Sequence, residues 1–202
     1  IYNSMQSDNW TQKAKDMGFR SRAVFKLEEI LKKTRLKNII NVLDLGSSPG
    51  GWSQLIVKKY NNSRVFAIDI LDMEKIEGVN FYKESIENIH LIKNINQLKG
   101  QFDLVISDIA PNLTGISVTD LENILVLNIL TKDVAFNYLN NGGSFIMKTF
   151  QNNNLKTLRK NMELSYNLVQ TYKPAASKKK SGEIYLYGCL LYTSPSPRDS
   201  SP

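Results

Sequence analysis

Cysteine and histidine are almost missing from this chain, with one of each in 202 residues, Cys189 and His90. A lone cysteine makes no internal disulfide, which points to a reducing, cytoplasmic compartment. A single histidine argues against His-ligated metal centres and against Ser-His-Asp chemistry, so no metal is expected. No apolar run approaches the roughly 18–20 residues of a membrane span, so a soluble protein with no membrane partner is expected. Nothing reads as a signal peptide, and no internal repeat is visible. Hydrophobic residues at 42% and charged residues at 22% exclude disordered, collagen-like and low-complexity classes.

What is present is basic and unevenly spread. The length suits one compact domain. The formal net charge is +7. Residues 13–37 hold nine basic and three acidic side chains, and residues 151–182 hold seven and one, so each segment carries +6. The rest of the chain is mildly acidic. Two basic segments around an acidic middle suit a surface that meets a phosphate backbone, although lysine-rich solvated faces look the same by charge alone.

The hydrophobic pattern alternates strand and helix. A helical pattern from about Ser7 breaks at Gly18 and resumes to Leu36. The run Ile39 to Leu45 predicts a buried parallel strand ending at Gly46, and residues after Gly50-Gly51 have helical spacing. Arg64 to Asp69 and Val79 to Tyr82 predict two further strands, and 86–98 a helix. Phe102 to Asp108 predicts a strand, Leu121 to Leu139 a long amphipathic helix stopped by Asn141-Gly142-Gly143, and Ser144 to Lys148 another strand. A polar helix over 153–163, a strand over 166–172, a basic loop from Lys173 to Gly182 and a last strand from Glu183 complete the pattern. Such alternation means an α/β fold with a mostly parallel sheet.

In open α/β sheets ligands sit beyond the carboxyl ends of the strands, which directs attention to the loops there. The first is Asp44-Leu45-Gly46-Ser47-Ser48-Pro49-Gly50-Gly51-Trp52, whose glycines let backbone approach a ligand closely. It is not G-x-G-x-x-G. Asp69, 25 residues beyond Asp44, stands where an acid can bind two ribose hydroxyls of a nucleoside cofactor, or where a carboxylate simply caps a turn. Asp108 closes another strand, and Lys148 sits in the apolar run Phe145-Ile146-Met147-Lys148-Thr149-Phe150, where a charged amine is costly to bury. Glu183 opens the last strand and Lys26 lies on the second helix. Taken singly, each also fits a surface charge at a strand end.

Taken together they resemble a known family. Arg20-Ser21-Arg22-Ala23-Val24-Phe25-Lys26-Leu27, Asp44-Leu45-Gly46 with Pro49-Gly50-Gly51-Trp52-Ser53-Gln54, Ser107-Asp108-Ile109-Ala110-Pro111-Asn112 and Gly142-Gly143-Ser144-Phe145 occur in the order of the RrmJ/FtsJ family of RNA 2′-O-ribose methyltransferases. The resemblance covers roughly residues 7–188 and is strongest to bacterial members acting on large-subunit 23S ribosomal RNA. It implies a Rossmann-like class I S-adenosylmethionine-dependent methyltransferase with a mostly parallel seven-stranded sheet flanked by helices. It implies a catalytic tetrad at Lys26, Asp108, Lys148 and Glu183, and S-adenosylmethionine contacts at Gly50, Trp52, Asp69 and Asp108. Where bacterial relatives usually place an aspartate near the adenine, ungapped alignment puts Ser85, with Glu84 beside it; a serine hydroxyl still offers a hydrogen bond there, without charge.

The implied reaction moves a methyl group to a ribose 2′-hydroxyl, that of a uridine in the bacterial members it most resembles. Much of the protein's work is then alignment, together with a base that accepts the hydroxyl proton. By resemblance Lys148 is that base, and only its neutral form can serve; the like charge of Lys26 favours this form, whereas Asp108 and Glu183 oppose it. Arg20, Arg22, Lys173, Lys178, Lys179 and Lys180 flank tetrad members in sequence and are candidate phosphate contacts, which position RNA without reading bases. The expected partner is ribosomal RNA, within the large subunit, met by a monomer. The same chemistry on tRNA or an mRNA cap, a nucleotide-dependent oxidoreductase, and a non-catalytic RNA-binding assembly factor are the rival readings. One methyltransferase domain is expected over 1–188. The abrupt change of composition after that, through Thr193-Ser194-Pro195-Ser196-Pro197-Arg198, resembles translated adapter sequence, so 189–202 is expected to be a non-native or disordered tail.

Overall fold

The structure, a computed structural model, describes residues 2–177 and 181–190, with side chains described from Asn9 onward. The runs of β-branched and aromatic residues become seven strands: β1 (Asn41–Leu45), β2 (Arg64–Asp69), β3 (Val79–Lys83), β4 (Phe102–Ser107), β5 (Leu139–Phe150), β6 (Leu168–Tyr172) and β7 (Glu183–Cys189). Helices α1 (Tyr2–Asp16), α2 (Val24–Thr34), α3 (Gly51–Lys59), α4 (Lys93–Asn96), α5 (Ser117–Tyr138) and α6 (Leu155–Glu163) connect or precede them. The strands form one sheet in the order β3-β2-β1-β4-β5-β7-β6. Pairing is parallel from β3 to β5, whereas β7 runs antiparallel to both β5 and β6. Because β7 runs backwards, its amino end shares an edge with the carboxyl ends of β1, β2, β4 and β5.

Strand residues alternate between two cores, as the period of two requires. Leu43, Phe66, Val105, Phe145 and Met147 face the layer built by α4, α5 and α6. Val42, Val65, Leu104, Ile106, Ile146 and Tyr185 face the layer of α1, α2 and α3. The middle strands are covered on both faces, which explains why they read as continuous apolar runs. Among the described residues no helix is long and apolar enough to cross a membrane.

Three sequence expectations are revised. Residues 86–98 are a 3-10 turn, Ile86–Leu91, and the single turn of α4, not one helix. The asparagines that fall there bond outward, Asn88 to Glu84, Asn94 to Tyr82 and Asn96 to Tyr138, so tertiary anchors replace helical regularity. Helix α5 begins at Ser117 and ends at Tyr138, and the chain passes straight into β5. The Asn141-Gly142-Gly143 turn signal therefore lies inside a strand, where the β4–β5 register shifts between Phe102 and Leu104. Finally, β7 runs through Cys189, which pairs with Ser144 and Leu168, and Leu190 is buried. The regular fold thus extends two residues past the boundary read from composition; residues 191–202 lie outside the described residues.

Candidate active site and cofactor cleft

A cleft of about 590 Å³ opens at the shared edge of the sheet, walled by Gly46, Asp69, Ser85, Asp108 and the middle turns of α5. That volume lies within the usual range for small-molecule and cofactor sites. Gly46 has φ +73°, and a Cβ on it would stand 2.8 Å from Cβ of Ile109, so only glycine lets the β1 and β4 loops close together here. At the end of β2, Asp69 accepts the backbone N–H of Ser48 through Oδ2 and that of Leu71 through Oδ1, both at 2.8 Å. The carboxylate thereby fixes two loops and retains lone pairs for ribose hydroxyls. Ser85 lies on the cleft wall, with its hydroxyl accepting from Glu87 N at 3.3 Å. Beside it, hydrogen bonds from Asn88 and from the Ser85 backbone hold the Glu84 carboxyl below its ordinary value.

Gly50 and Trp52 stand behind this wall and do not line it. Gly50 has φ +112°, and a Cβ there would meet Ile76 at 2.6 Å, because the loop after β2 folds over it. Trp52 is buried, donates Nε1 to the Ala23 carbonyl at 2.9 Å, and packs against Tyr185 with ring centroids 5.8 Å apart. Both shape the site from below. Asp44 is likewise hidden under the loop, 1% exposed and accepting from Ser53 Oγ at 2.6 Å. Burial, reinforced by the charges of Asp108 and Asp69 and only partly offset by Ser53, pushes its carboxyl up to about 7.

The four tetrad candidates cluster around Asp108, the one among them that lines the cleft. Lys26 comes from the first turn of α2, Asp108 from just past β4, Lys148 from β5, and Glu183 from the first position of β7. Lys26 Nζ lies 2.6 Å from Glu183 Oε2, and Lys148 Nζ lies 3.3 Å from Asp108 Oδ1. Two cations balance two anions, the condition under which charged groups tolerate such partial burial. Burial raises the Asp108 carboxyl above its ordinary value, although Lys148 and Lys26 oppose the shift. For Glu183, burial also pushes upward, but the Lys26 hydrogen bond, both lysine charges and Tyr185 together carry the carboxyl below its ordinary value.

Tyr185 belongs to this group and was not singled out from the sequence. Its hydroxyl lies 3.2 Å from Asp108 Oδ1 and 3.1 Å from Glu183 Oε1, so a single phenolic proton is shared between the two carboxylates. Burial, with the nearby Asp108 and Glu183 charges, pushes the phenol far up and keeps it protonated. Strand period two from Glu183 puts position 185 on the same face, the signal that points to it.

The basic candidates mostly serve the chain itself. Arg20 Nη1 donates to Pro49 O at 3.1 Å and Glu74 O at 2.7 Å, and Nη2 to Lys75 O at 2.9 Å. Arg20 is a candidate phosphate contact by sequence; in the structure its guanidinium clamps the β1 and β2 loops through these three hydrogen bonds. Arg22 donates to Ala176 O at 3.2 Å, and Lys173 Nζ to the carbonyls of Ser181 and Glu183, both at 2.5 Å. These two secure the loop leading to Glu183. Lys178, Lys179 and Lys180 lie outside the described residues.

Sheet order, cleft and convergent charges are those of a Rossmann-like methyltransferase. A family profile described as FtsJ-like methyltransferase matches residues 19–189. Ribosomal RNA large subunit methyltransferase E of Stenotrophomonas maltophilia is 39% identical over 186 residues, covering 90% of this chain and 89% of that protein. The protein of the same name from Xylella fastidiosa is 41% identical, with 90% and 87% covered. A crystal structure of a ribosomal RNA methyltransferase from Plasmodium falciparum superposes with a TM-score of 0.74 at 29% identity, covering 86% of this chain and 98% of that one. The chain belongs to the FtsJ-like methyltransferase family, and it is an enzyme of methyl transfer.

Proposed function

We propose that this enzyme transfers a methyl group from S-adenosylmethionine to a ribose 2′-hydroxyl, that of a uridine, in 23S RNA of the large ribosomal subunit. The observation that carries the reading is the convergence of Lys26, Lys148, Glu183 and Tyr185 on Asp108, which itself lines a nucleoside-sized cleft. Asp69 would hold the cofactor ribose, Ser85 would face the adenine, and Asp108 would border the reacting end. When bound, S-adenosylmethionine supplies an electrophilic methyl group on a good leaving group.

What remains for the protein is alignment and proton transfer. Lys148 Nζ, as the neutral amine, accepts the proton of the 2′-hydroxyl while that oxygen takes the methyl group. Burial raises the Asp108 carboxyl above its ordinary value, against the opposing charges of Lys148 and Lys26. Lys26 and Glu183 neutralise each other, so the substrate meets little net field, and Tyr185 holds both carboxylates in place. The Lys178-Lys179-Lys180 run would meet the RNA backbone next to Glu183.

The test is methylation of large subunits isolated from cells lacking the enzyme, with 2′-O-methyl groups mapped afterwards. The wild-type chain should add one ribose methyl to 23S RNA. Lys148→Ala should transfer ~10²–10⁴-fold more slowly, the usual effect of losing a positioned base, and still bind cofactor. Label in tRNA, or none in RNA, would overturn the reading.

A further inference from the structure

Helix α5 forms one wall of the cleft through Asn123, Val126, Leu127 and Leu130. The next residue after Leu127, Asn128, points the other way into the core and is 3% exposed. Its Nδ2 donates to the backbone carbonyl of Lys148 at 3.1 Å, and its Oδ1 accepts the Thr149 hydroxyl at 2.6 Å. Thr149 is itself buried. Both halves of the amide are thus engaged by consecutive residues of β5, which also fixes which way the amide faces.

The place on β5 matters. Parallel pairing with β4 ends at Ser107 and Met147, one residue before Lys148. Beyond that point β5 runs on without its β4 neighbour, and Asn128 is the side chain that grips it from that layer. A buried amide with both polar ends satisfied is a rigid link, and leaving either end unpaired in the core is unfavourable. Helix and strand therefore move together at the residue whose amine faces Asp108.

We propose that Asn128 is a positioning residue for Lys148, tying its backbone to the helix that walls the cofactor cleft. The inference rests on the methyl-transfer reading above. It assigns to α5 a second duty besides lining the cleft: setting the height of the Lys148 amine against the reacting oxygen. A misplacement of about 1 Å, even from a residue remote from the chemistry, can slow a reaction by on the order of 10²-fold.

Three variants separate positioning from stability. Asn128→Asp, assayed at a pH alkaline enough to ionise the buried carboxyl, keeps an acceptor for Thr149 but removes the donor to Lys148. Thr149→Val keeps the bond to the Lys148 carbonyl and removes the other. The double variant Asn128→Leu/Thr149→Val replaces the buried polar pair by apolar groups, an exchange that can leave stability nearly unchanged. Single-turnover methylation should fall by on the order of 10²-fold for Asn128→Asp and for the double variant. Thr149→Val should stay within a few-fold of wild type. Cofactor affinity should hold within a few-fold throughout, and the pH profile of kcat should shift only in the two variants without a donor to the Lys148 carbonyl. Wild-type rate and pH profile in Asn128→Asp would overturn the proposal, as would rates that simply follow melting temperature across the three variants. A wild-type chain that transfers no methyl group in the same assay would overturn the functional reading and the proposal together.

Discussion

The two ends of the cleft are built on different principles. At the Asp69 end the protein presents backbone and one carboxylate: the Gly46 turn and Asp69, held by the N–H groups of Ser48 and Leu71. Arg20 braces this end from outside through three carbonyl contacts. Around Asp108, the charged cluster of Lys26, Asp108, Lys148, Glu183 and Tyr185 comes from four separate segments whose members satisfy one another. The contrast teaches where substitution is tolerated. A backbone cradle survives changes of side chain so long as its glycines and clamps remain. A mutually neutralised cluster loses its balance when any member is removed, because a buried partner is left uncompensated.

The sharpest way to break this contrast is Lys148→Arg, which keeps charge and reach but removes the ability to accept a proton near neutral pH. Transfer should drop ~10²–10⁴-fold in single-turnover assays while calorimetric cofactor affinity stays within a few-fold. A near-normal rate would mean that Lys148 acts by charge alone. The reverse pattern is expected for Asp69→Ala or Arg20→Ala: cofactor affinity weakened roughly tenfold or more, the loss of charge-assisted hydrogen bonds of about 1.5–3 kcal/mol. For Arg20→Ala the salt dependence of RNA binding should be unchanged, since its donors face carbonyls; a flatter dependence would return Arg20 to the RNA surface.

A smaller effect concerns the acid beneath both ends. With its carboxyl raised to about 7, folded Asp44 retains a proton that the unfolded chain releases near the ordinary 3.8. Folding then binds a proton, so this contribution to stability is complete below about 3.8 and is lost as pH rises toward and past about 7. Asp44→Asn should flatten that decline in denaturant titrations at pH 5 to 8, and an unaltered decline would assign it to other groups. Smallest per residue is the basic loop. Replacing Lys178, Lys179 and Lys180 should lower the salt slope of RNA binding by about 0.7–0.9 for each phosphate no longer neutralised. An unchanged slope would mean that the loop is merely solvated.

The sequence alone determined the alternation of strand and helix and the four charged residues that meet at one edge of the sheet. Those features follow from local period, from apolar runs that must be buried on both faces, and from motifs at the ends of strands. Tertiary structure alone decided the partnerships. Lys26 and Glu183 are 157 residues apart, and their 2.6 Å contact exists because β7 runs against β5 and brings its first residue to the cleft edge of the sheet. Trp52 and Gly50 carry the family motif yet pack beneath the cleft, and Arg20 looks in sequence like any exposed arginine until three carbonyls surround it. Nothing in a helical stretch marks Asn128 as the residue that holds the Lys148 carbonyl. Hydrogen-bond partners of buried polar groups are chosen by the three-dimensional neighbourhood, and one-dimensional spacing records only which face a side chain takes.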